Sequence, residues 1–391
     1  MIEYKLEDIA EITSSKRIYY SDYVEEGVPF YRSREIINLD KGEEIKEEIF
    51  ISEEKYLDIK NKFGAPSKND ILITSVGTIG NIYLVKEDDR FYFKDGNLTW
   101  LREWKDIAIP KYVFYWLKSP IGQSSFYQQL IGSSQKALTI SSLKSIKISV
   151  PKDKSIQRRI ASILSAYDDL IENNLQRIKL LEEKAFTKYK IFVASEKTET
   201  RKVGDLATVR SGYAFKSRDW TEQGFPVIKI KNINNNDIIL DGCSYISDET
   251  ANLASNFELS EGNLLIAMTG ATVGKIGMMP KTDIPFYLNQ RVGLFTPKFD
   301  TAELYLFCFF NETIAQDTIN NIASGAAQPN ISASQIEGIT LQIPKLELVK
   351  EFGYSLKSTF ELIRLFRYQN SFLAEARDIL LPRLMNQQIE V

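Results

Sequence analysis

The hydrophobic pattern changes character twice along the chain. Up to Val150 the apolar residues come in short runs such as "VPFYRSREI", "DILITSV", "NIYLVK" and "RFYFKDGNLTWLR", separated by Gly, Pro, Asn or Asp. Such runs predict short strands joined by turns. From Ile156 the spacing becomes helical: Ile156, Ile160, Ile163, Tyr167 and Leu170, then Ile178 and Leu181, lie on one face. No Pro or Gly occurs from Lys152 to Ala194, so one long helix is predicted there. Strand-like runs then return, and a second helical stretch begins at Leu348 with Phe352, Leu356, Phe360, Ile363 and Phe366. Shorter helices are expected near Pro110–Leu117 and Ile121–Leu130. "LYLFCFF" (Leu304–Phe310) reads as a buried helix segment, far short of the roughly 20 residues of a membrane span.

The two halves are copies. "EEGVPFYRSREI" (Glu25–Ile36) returns as "EQGFPVIKIKNI" (Glu222–Ile233), with Gly27 and Pro29 matched by Gly224 and Pro226. "LEDIAEI" parallels "VGDLATV", and Asp22 with Tyr23 parallels Asp219 with Trp220. "NDILITSVGTIG", beginning at Asn69, parallels "NLLIAMTGATVG", beginning at Asn263. "GSSQKALTISSLKSIKISVP" parallels "GAAQPNISASQIEGITLQIP". A repeat of this kind organises the fold. The boundaries it implies are residues 1–151 and 195–344 for two α/β units, with helices over 152–194 and 345–391. Helices of roughly 45–60 Å, at 1.5 Å per residue, suggest an antiparallel coiled-coil pair with one unit at each end. Asn174 and Asn370 fall near its seams, where a buried Asn can fix register.

Composition removes several kinds of chemistry. Histidine is absent from the 391 residues, which excludes Ser-His, Cys-His and His-metal arrangements in this chain. Two cysteines, Cys243 and Cys308, imply no disulfide framework and a reducing cytoplasm. The charged start "MIEYKLEDIAEI" offers no secretory h-region. "VGTIG" and "GATVG" lack the full phosphate-loop pattern and read as tight turns after buried strands. "EEIKEEIF" (Glu43–Phe50) carries an E-x-K spacing without a partner carboxylate and reads as a solvated charge run. There is no Pro-Pro, so the catalytic tetrapeptide of a DNA adenine methyltransferase is missing. Asp22 and Asp219 are the only trusted matched acidic pair for a duplicated enzyme, and a turn or cap suits them better.

Net charge is −3, so nucleic-acid binding has to rest on local patches. Such patches recur at matched places. The first unit offers Ser15, Lys16 and Arg17 in "SSKRIYY", and Tyr31, Arg32 and Arg34 in "YRSR". It adds Lys94 and Asn97 in "KDGN", and Gln135 and Lys136 in "GSSQK". The second offers Arg210, Tyr213 and Lys216 in "RSGYAFKSR", Lys229, Lys231 and Asn232 in "KIKN", and Lys275 after its glycine turn. It adds Gln290 and Arg291 in "NQR", and Gln328 and Asn330 in "GAAQPN". Arg, Lys, Asn and Gln are the side chains that read base edges, and Lys, Ser and Thr hold phosphates. A solvated loop or helix face is the alternative reading for each patch.

In the order of these motifs the chain resembles the specificity (S) subunits of Type I restriction-modification systems along essentially its whole length. The resemblance rests on "LEDIAEI" and "VGDLATV", the two glycine turns, "IKISVPKDKSIQRRIASILSAYDDLIENNLQRIKLLEEKAF" with its weaker copy after Pro344, and the ending "LLPRLMNQQIEV". "VPKDKSIQRRIA" keeps the family's Gln and "RRIA" but not its extra prolines, and "IPKLELVKEFG" loses the Gln. The resemblance implies an α+β fold of two pseudo-two-fold-related target recognition domains separated by an antiparallel coiled coil. Each domain would read half of a bipartite double-stranded DNA target. The rod would set the spacer and dock two methyltransferase subunits, with restriction-translocase subunits joining them. The chain itself would hold no catalytic centre, metal or cofactor. An orphan DNA-binding regulator with duplicated domains is the alternative. A carbohydrate- or lipid-handling enzyme and a structural tether are further ones.

Overall fold

The computed structural model describes residues 1–391 apart from 43, 44, 46, 131–136, 235 and 324–328. The chain divides into two compact units. Unit 1 comprises residues 1–172 and 373–391, and unit 2 residues 173–372. The elements used below are, in chain order, β1 (Val28–Tyr31), α1 (Ser33–Asp40), β2 (Ile71–Thr74), β3 (Ile82–Leu84), β4 (Leu98–Arg102), α2 (Lys154–Ser195), β5 (Phe225–Ile228), β6 (Leu264–Ala267), β7 (Ile276–Met278), β8 (Val292–Pro297) and α3 (Leu346–Met385).

Unit 1 holds a four-stranded antiparallel sheet in the order Glu11–Thr13, β4, β2, β3. All four residues of β2 are buried, as expected of a strand covered on both faces. A second sheet runs Tyr23–Val24, Phe50–Ile51, β1, Tyr92–Phe93, with β1 parallel to the last strand. Ile2–Lys5 pairs with Lys147–Val150 in a separate ribbon, so the start of the unit is tied to its end.

Unit 2 repeats this plan with additions. β8, β6 and β7 occupy the places of β4, β2 and β3, and the hairpin strands Ile233–Asn234 and Asn236–Ile238 extend that sheet beyond β7. The partner sheet is Trp220–Thr221, Ser244–Ile246, β5, Phe286–Leu288, Glu258–Leu259. Glu199–Lys202 pairs with Thr340–Ile343 as the matching ribbon.

The repeated glycines have a steric reason. A Cβ on Gly27 would lie 2.3 Å from the Ile51 carbonyl oxygen, and one on Gly224 would lie 2.1 Å from that of Ile246. Only glycine lets the backbone pass so close to the neighbouring strand.

The short helices Pro110–Lys118 and Pro120–Gln128 form where the sequence predicts them. The Ser119 hydroxyl caps the second by accepting from Gly122 N–H, with Pro at the first helical position. "LYLFCFF" lies within the helix Ala302–Phe310 and is buried throughout.

α2 has 42 residues and α3 has 40, about 60 Å each at 1.5 Å per residue. Within each unit their segments pack antiparallel. In unit 2, Phe192 stacks on Phe352 with ring centroids 4.4 Å apart, and Asn174 Nδ2 donates to Asn370 Oδ1 at 2.9 Å. Asn174 is only 6 % exposed, so this pair sits in the seam. In unit 1, Ile160 and Leu164 share a core with Leu381, Leu384 and Met385.

One expected strand is different. "VPFYRSREI" is strand only to Tyr31 and helix from Ser33. Glu35 explains the break: its carboxylate accepts the Arg32 backbone N–H at 2.7 Å and the Arg32 guanidinium at 2.8 Å. That capping arrangement satisfies the first donors of α1 and turns the chain out of the sheet.

Candidate nucleic-acid interface

Backbone hydrogen bonds give the true correspondence between the units. Asp70 accepts from Ser67 N–H as Asn263 accepts from Ser260 N–H. Gly80 N–H reaches the Thr74 carbonyl as Gly274 N–H reaches that of Ala267. The strand residues therefore match at an offset of 193, one less than the string match of Asn69 with Asn263, and the turn of unit 2 holds one extra residue. Ser75 N–H donates to the Asn97 carbonyl as Met268 N–H donates to that of Arg291. Asn97 and Arg291 thus hold equivalent places.

The glycine turns are fastened identically. Gln123 donates to the carbonyls of Gly80 (3.1 Å) and Leu117 (3.0 Å), and Gln316 donates to those of Gly274 (3.2 Å) and Phe310 (2.6 Å). Both turn glycines lie at left-handed φ, +90° and +83°. Neither glutamine was singled out from the sequence. The signal was available, since the two stand 193 positions apart in "IGQSS" and "IAQDT".

The candidate contact residues fall into three groups. Some are engaged within the fold. Arg32 is locked to buried Glu35, whose hydrogen bond holds its guanidinium above the ordinary pKa. Lys229 sits 3.4 Å from the Trp220 ring centroid and donates to Ser244 Oγ at 2.8 Å, and burial pulls its pKa down. Asn232 is buried, accepting from Lys229 N–H at 3.1 Å and donating to the Ile239 carbonyl at 2.9 Å. Tyr31 stacks on Phe91, and burial raises its pKa to about 12. Tyr213 packs against Phe215 and Phe257. Ser15 is buried.

A second group is exposed but tethered. Arg17 pairs with Asp95 at 3.0 Å, Arg34 with Glu47 at 3.1 Å, and Lys16 lies 4.7 Å over the Phe63 ring. Arg210 lies 5.9 Å over Phe257, Lys231 donates to the Gly242 carbonyl at 2.6 Å, and half-buried Lys275 donates to Asn234 at 3.0 Å. The third group presents its polar ends outward. Lys94, Lys216, Gln290, Arg291 and Asn330 are exposed, and Asn97 is half-buried. Asn330 forms a bridge with Thr269 beside the turn of unit 2. Gln135, Lys136 and Gln328 lie outside the described residues, as do Glu43, Glu44 and Lys46 of the acidic run.

Lys152–Gln157, at the start of the first long helix, carries a further device. Gln157 is fully buried, accepts from Ile109 N–H at 2.8 Å and donates to the carbonyls of Pro151 (2.7 Å) and Ile107 (3.2 Å). Its counterpart Lys350 is exposed and lies 5.3 Å over Phe299. The glutamine missing from the second copy is thus a structural anchor present in only one unit. Among the described residues no cluster of three or more His, Cys, Asp or Glu could hold a metal, and no helix is long and apolar enough to cross a membrane.

Two copies of one α/β unit, each bearing its own polar loops and each followed by a long helix, define a duplicated recognition scaffold. The family described as Type I restriction modification DNA specificity domain matches residues 1–183 and 195–365, and the chain belongs to it. The chain is 26% identical over 359 residues to the Type I restriction enzyme MjaVIII specificity subunit of Methanocaldococcus jannaschii, covering 86% of this chain and 83% of that one. It is 23% identical over 408 residues to the HindI specificity subunit of Haemophilus influenzae, covering 83% and 87%. The crystal structure of the S subunit of a Type I restriction-modification system from M. genitalium has the same fold, with a TM-score of 0.59 at 18% identity over 98% of this chain and 95% of that one. Members of this family supply DNA sequence recognition within restriction-modification complexes. They are non-catalytic, and the catalytic activities lie in other subunits.

Proposed function

We propose that this chain reads a bipartite double-stranded DNA target in the cytoplasm, each unit taking one half-site, and that α2 and α3 together fix the spacer and dock two methyltransferase subunits. Restriction-translocase subunits join through that core. The observation that carries the reading is the duplication itself. The same glycine turn, fastened by the same glutamine, recurs in both units, while the polar segments beside it diverge. Sharing a frame and varying the loops suits two readers of different sequences. The outward cations Lys94, Lys216 and Arg291 are the phosphate or base contacts we favour. Half-sites read from one face of B-DNA lie about one turn, ~34 Å, apart. Helices of 42 and 40 residues have the length to bridge that distance.

The test is coexpression with the methyltransferase and restriction genes of its own system, followed by genome-wide mapping of methylated adenines. A split motif is expected. A continuous motif, or none while a methyltransferase subunit co-purifies, overturns the reading. A four-residue insertion near Glu182 should change the spacer or abolish methylation; an unchanged spacer with normal activity rules out the spacing role.

A further inference from the structure

A cleft of about 460 Å3 opens in unit 1 between α1 and the turn after β2. Ser33, Arg34 and Asn38 line it from α1, Gly77 and Thr78 from the turn, and Asn97 from the loop before β4. Among the described residues no carboxylate lines it. Arg34 and Asn38 are four apart and share a helix face.

Several polar groups here have no partner among the described residues. The side-chain amides of Asn38 and Asn97 make no hydrogen bond within the protein among the described residues. Ser33 Oγ is buried with no partner. Asn232 of unit 2, a buried asparagine, is by contrast bonded through both ends of its amide. A structural asparagine is satisfied by the fold; these two are held ready without being used. The cleft is also accessible. Gly77 sits at φ +79°, and a Cβ built there meets nothing within 4 Å. Among the described residues Arg34 is tied only to Glu47, with both side chains largely exposed (62% and 75%), a pair that solvent screens and a guest can displace.

Resting on the DNA-reading function proposed above, we propose that this cleft is the base-reading pocket of unit 1, that it takes the major-groove edge of an adenine, and that Asn38 and Asn97 determine specificity there. An asparagine amide matches adenine in donor and acceptor, giving its oxygen to N6–H and its NH2 to N7. The Thr78 hydroxyl accepts from or donates to the neighbouring base edge. The glycine turn admits the base pair without a side chain in the way.

The test uses the full chain in its own complex, with methylated adenines mapped genome-wide for the wild type, Asn38→Ala and Asn97→Ala. Each variant should lose discrimination at one base pair of one half-site by about 5- to 100-fold in methylation of matched over mismatched sites. The other half and the spacer should stay as they were. Thr78→Val keeps side-chain volume and is the probe where an alanine variant is not recovered folded; it should relax the neighbouring position. A wild type with no split motif counts against the DNA-reading function itself. A split wild-type motif that the variants leave unchanged, or methylate uniformly less at every site, overturns the pocket while leaving that function standing.

Discussion

Arg32 and Lys229 stand at the same point after the same strand, and the chain goes two ways beyond them. In unit 1 it continues as the eight-residue helix α1; in unit 2 it makes the single turn Ile230–Asn232 and then a β-hairpin. The residue three positions on explains the difference. Glu35 and Asn232 both accept the backbone N–H of the residue that starts the turn. A carboxylate can only accept, so Glu35 directs its remaining capacity to the Arg32 guanidinium and the helix proceeds. An amide also donates, and Asn232 Nδ2 reaches the Ile239 carbonyl across the hairpin at 2.9 Å. One side-chain atom thus helps separate a helical reader from a stranded one on a common frame.

The largest expected break in the symmetry is at the helix starts. Gln157→Leu leaves the Ile109 N–H and two carbonyls unpaired in the core and should destabilise by roughly 3–5 kcal/mol. Lys350→Ala at the same place in unit 2 should cost within about 1 kcal/mol, since a half-exposed cation–ring contact is all that is lost. Denaturant titration of both variants checks this, and equal losses would mean the two anchors are equivalent after all. Next, Asn232→Asp removes the donor that closes the hairpin and buries a charge, at about 2–4 kcal/mol. Hydrogen exchange should then report opening of residues 233–238 with the sheet strands β6 and β8 still protected.

The glutamine clamps should behave alike. Gln123→Ala and Gln316→Ala each strand two carbonyls, one of them the turn glycine's, and should each cost about 1–3 kcal/mol. A silent variant in either unit would show that the turn there is held by something else.

The smallest effect is on pH dependence. Burial raises Glu182 to about 6, against the attraction of Arg367 at 2.9 Å, while Asp237, also raised by burial, faces the same guanidinium at 3.3 Å. The native state therefore binds more protons than the unfolded chain between pH 4.5 and 6. Stability contributed by this group is present below pH 4.5 and is lost as pH rises through 6. Glu182→Gln should flatten that limb of the melting-temperature profile.

Much of the frame was legible because it is periodic or repeated. The long helices announced themselves through their three-and-four spacing and the lack of Pro and Gly, and Asn174 with Asn370 through their seam positions. Gly27 and Gly224 were legible as a pair, although what they serve is close approach to a neighbouring carbonyl as well as a turn. α1 was not, because "SREIINLD" has two adjacent β-branched residues, Ile36 and Ile37, and follows an arginine, which is not one of the usual capping side chains. Its capping partner Glu35 matters only once Arg32 is seen folded back on it. The candidate site was read by residue type, and type alone cannot separate Lys229, folded onto Trp220, from Lys94, which points outward. Asn38 and Ser33 escaped notice because their significance is a side chain without a partner among the described residues, which no sequence pattern encodes.

Unit 2 is one continuous stretch, residues 173–372, whereas unit 1 is completed by residues 373–391. On the ribosome, where domains ordinarily close in the order they are written, this chain has to invert that order. Residues 1–172 emerge first, but the core that holds Ile160 and Leu164 lacks Leu381, Leu384 and Met385 until residues 373–391 are made. The second-written unit is the first that can finish, and the earlier one is left as the last seam to close.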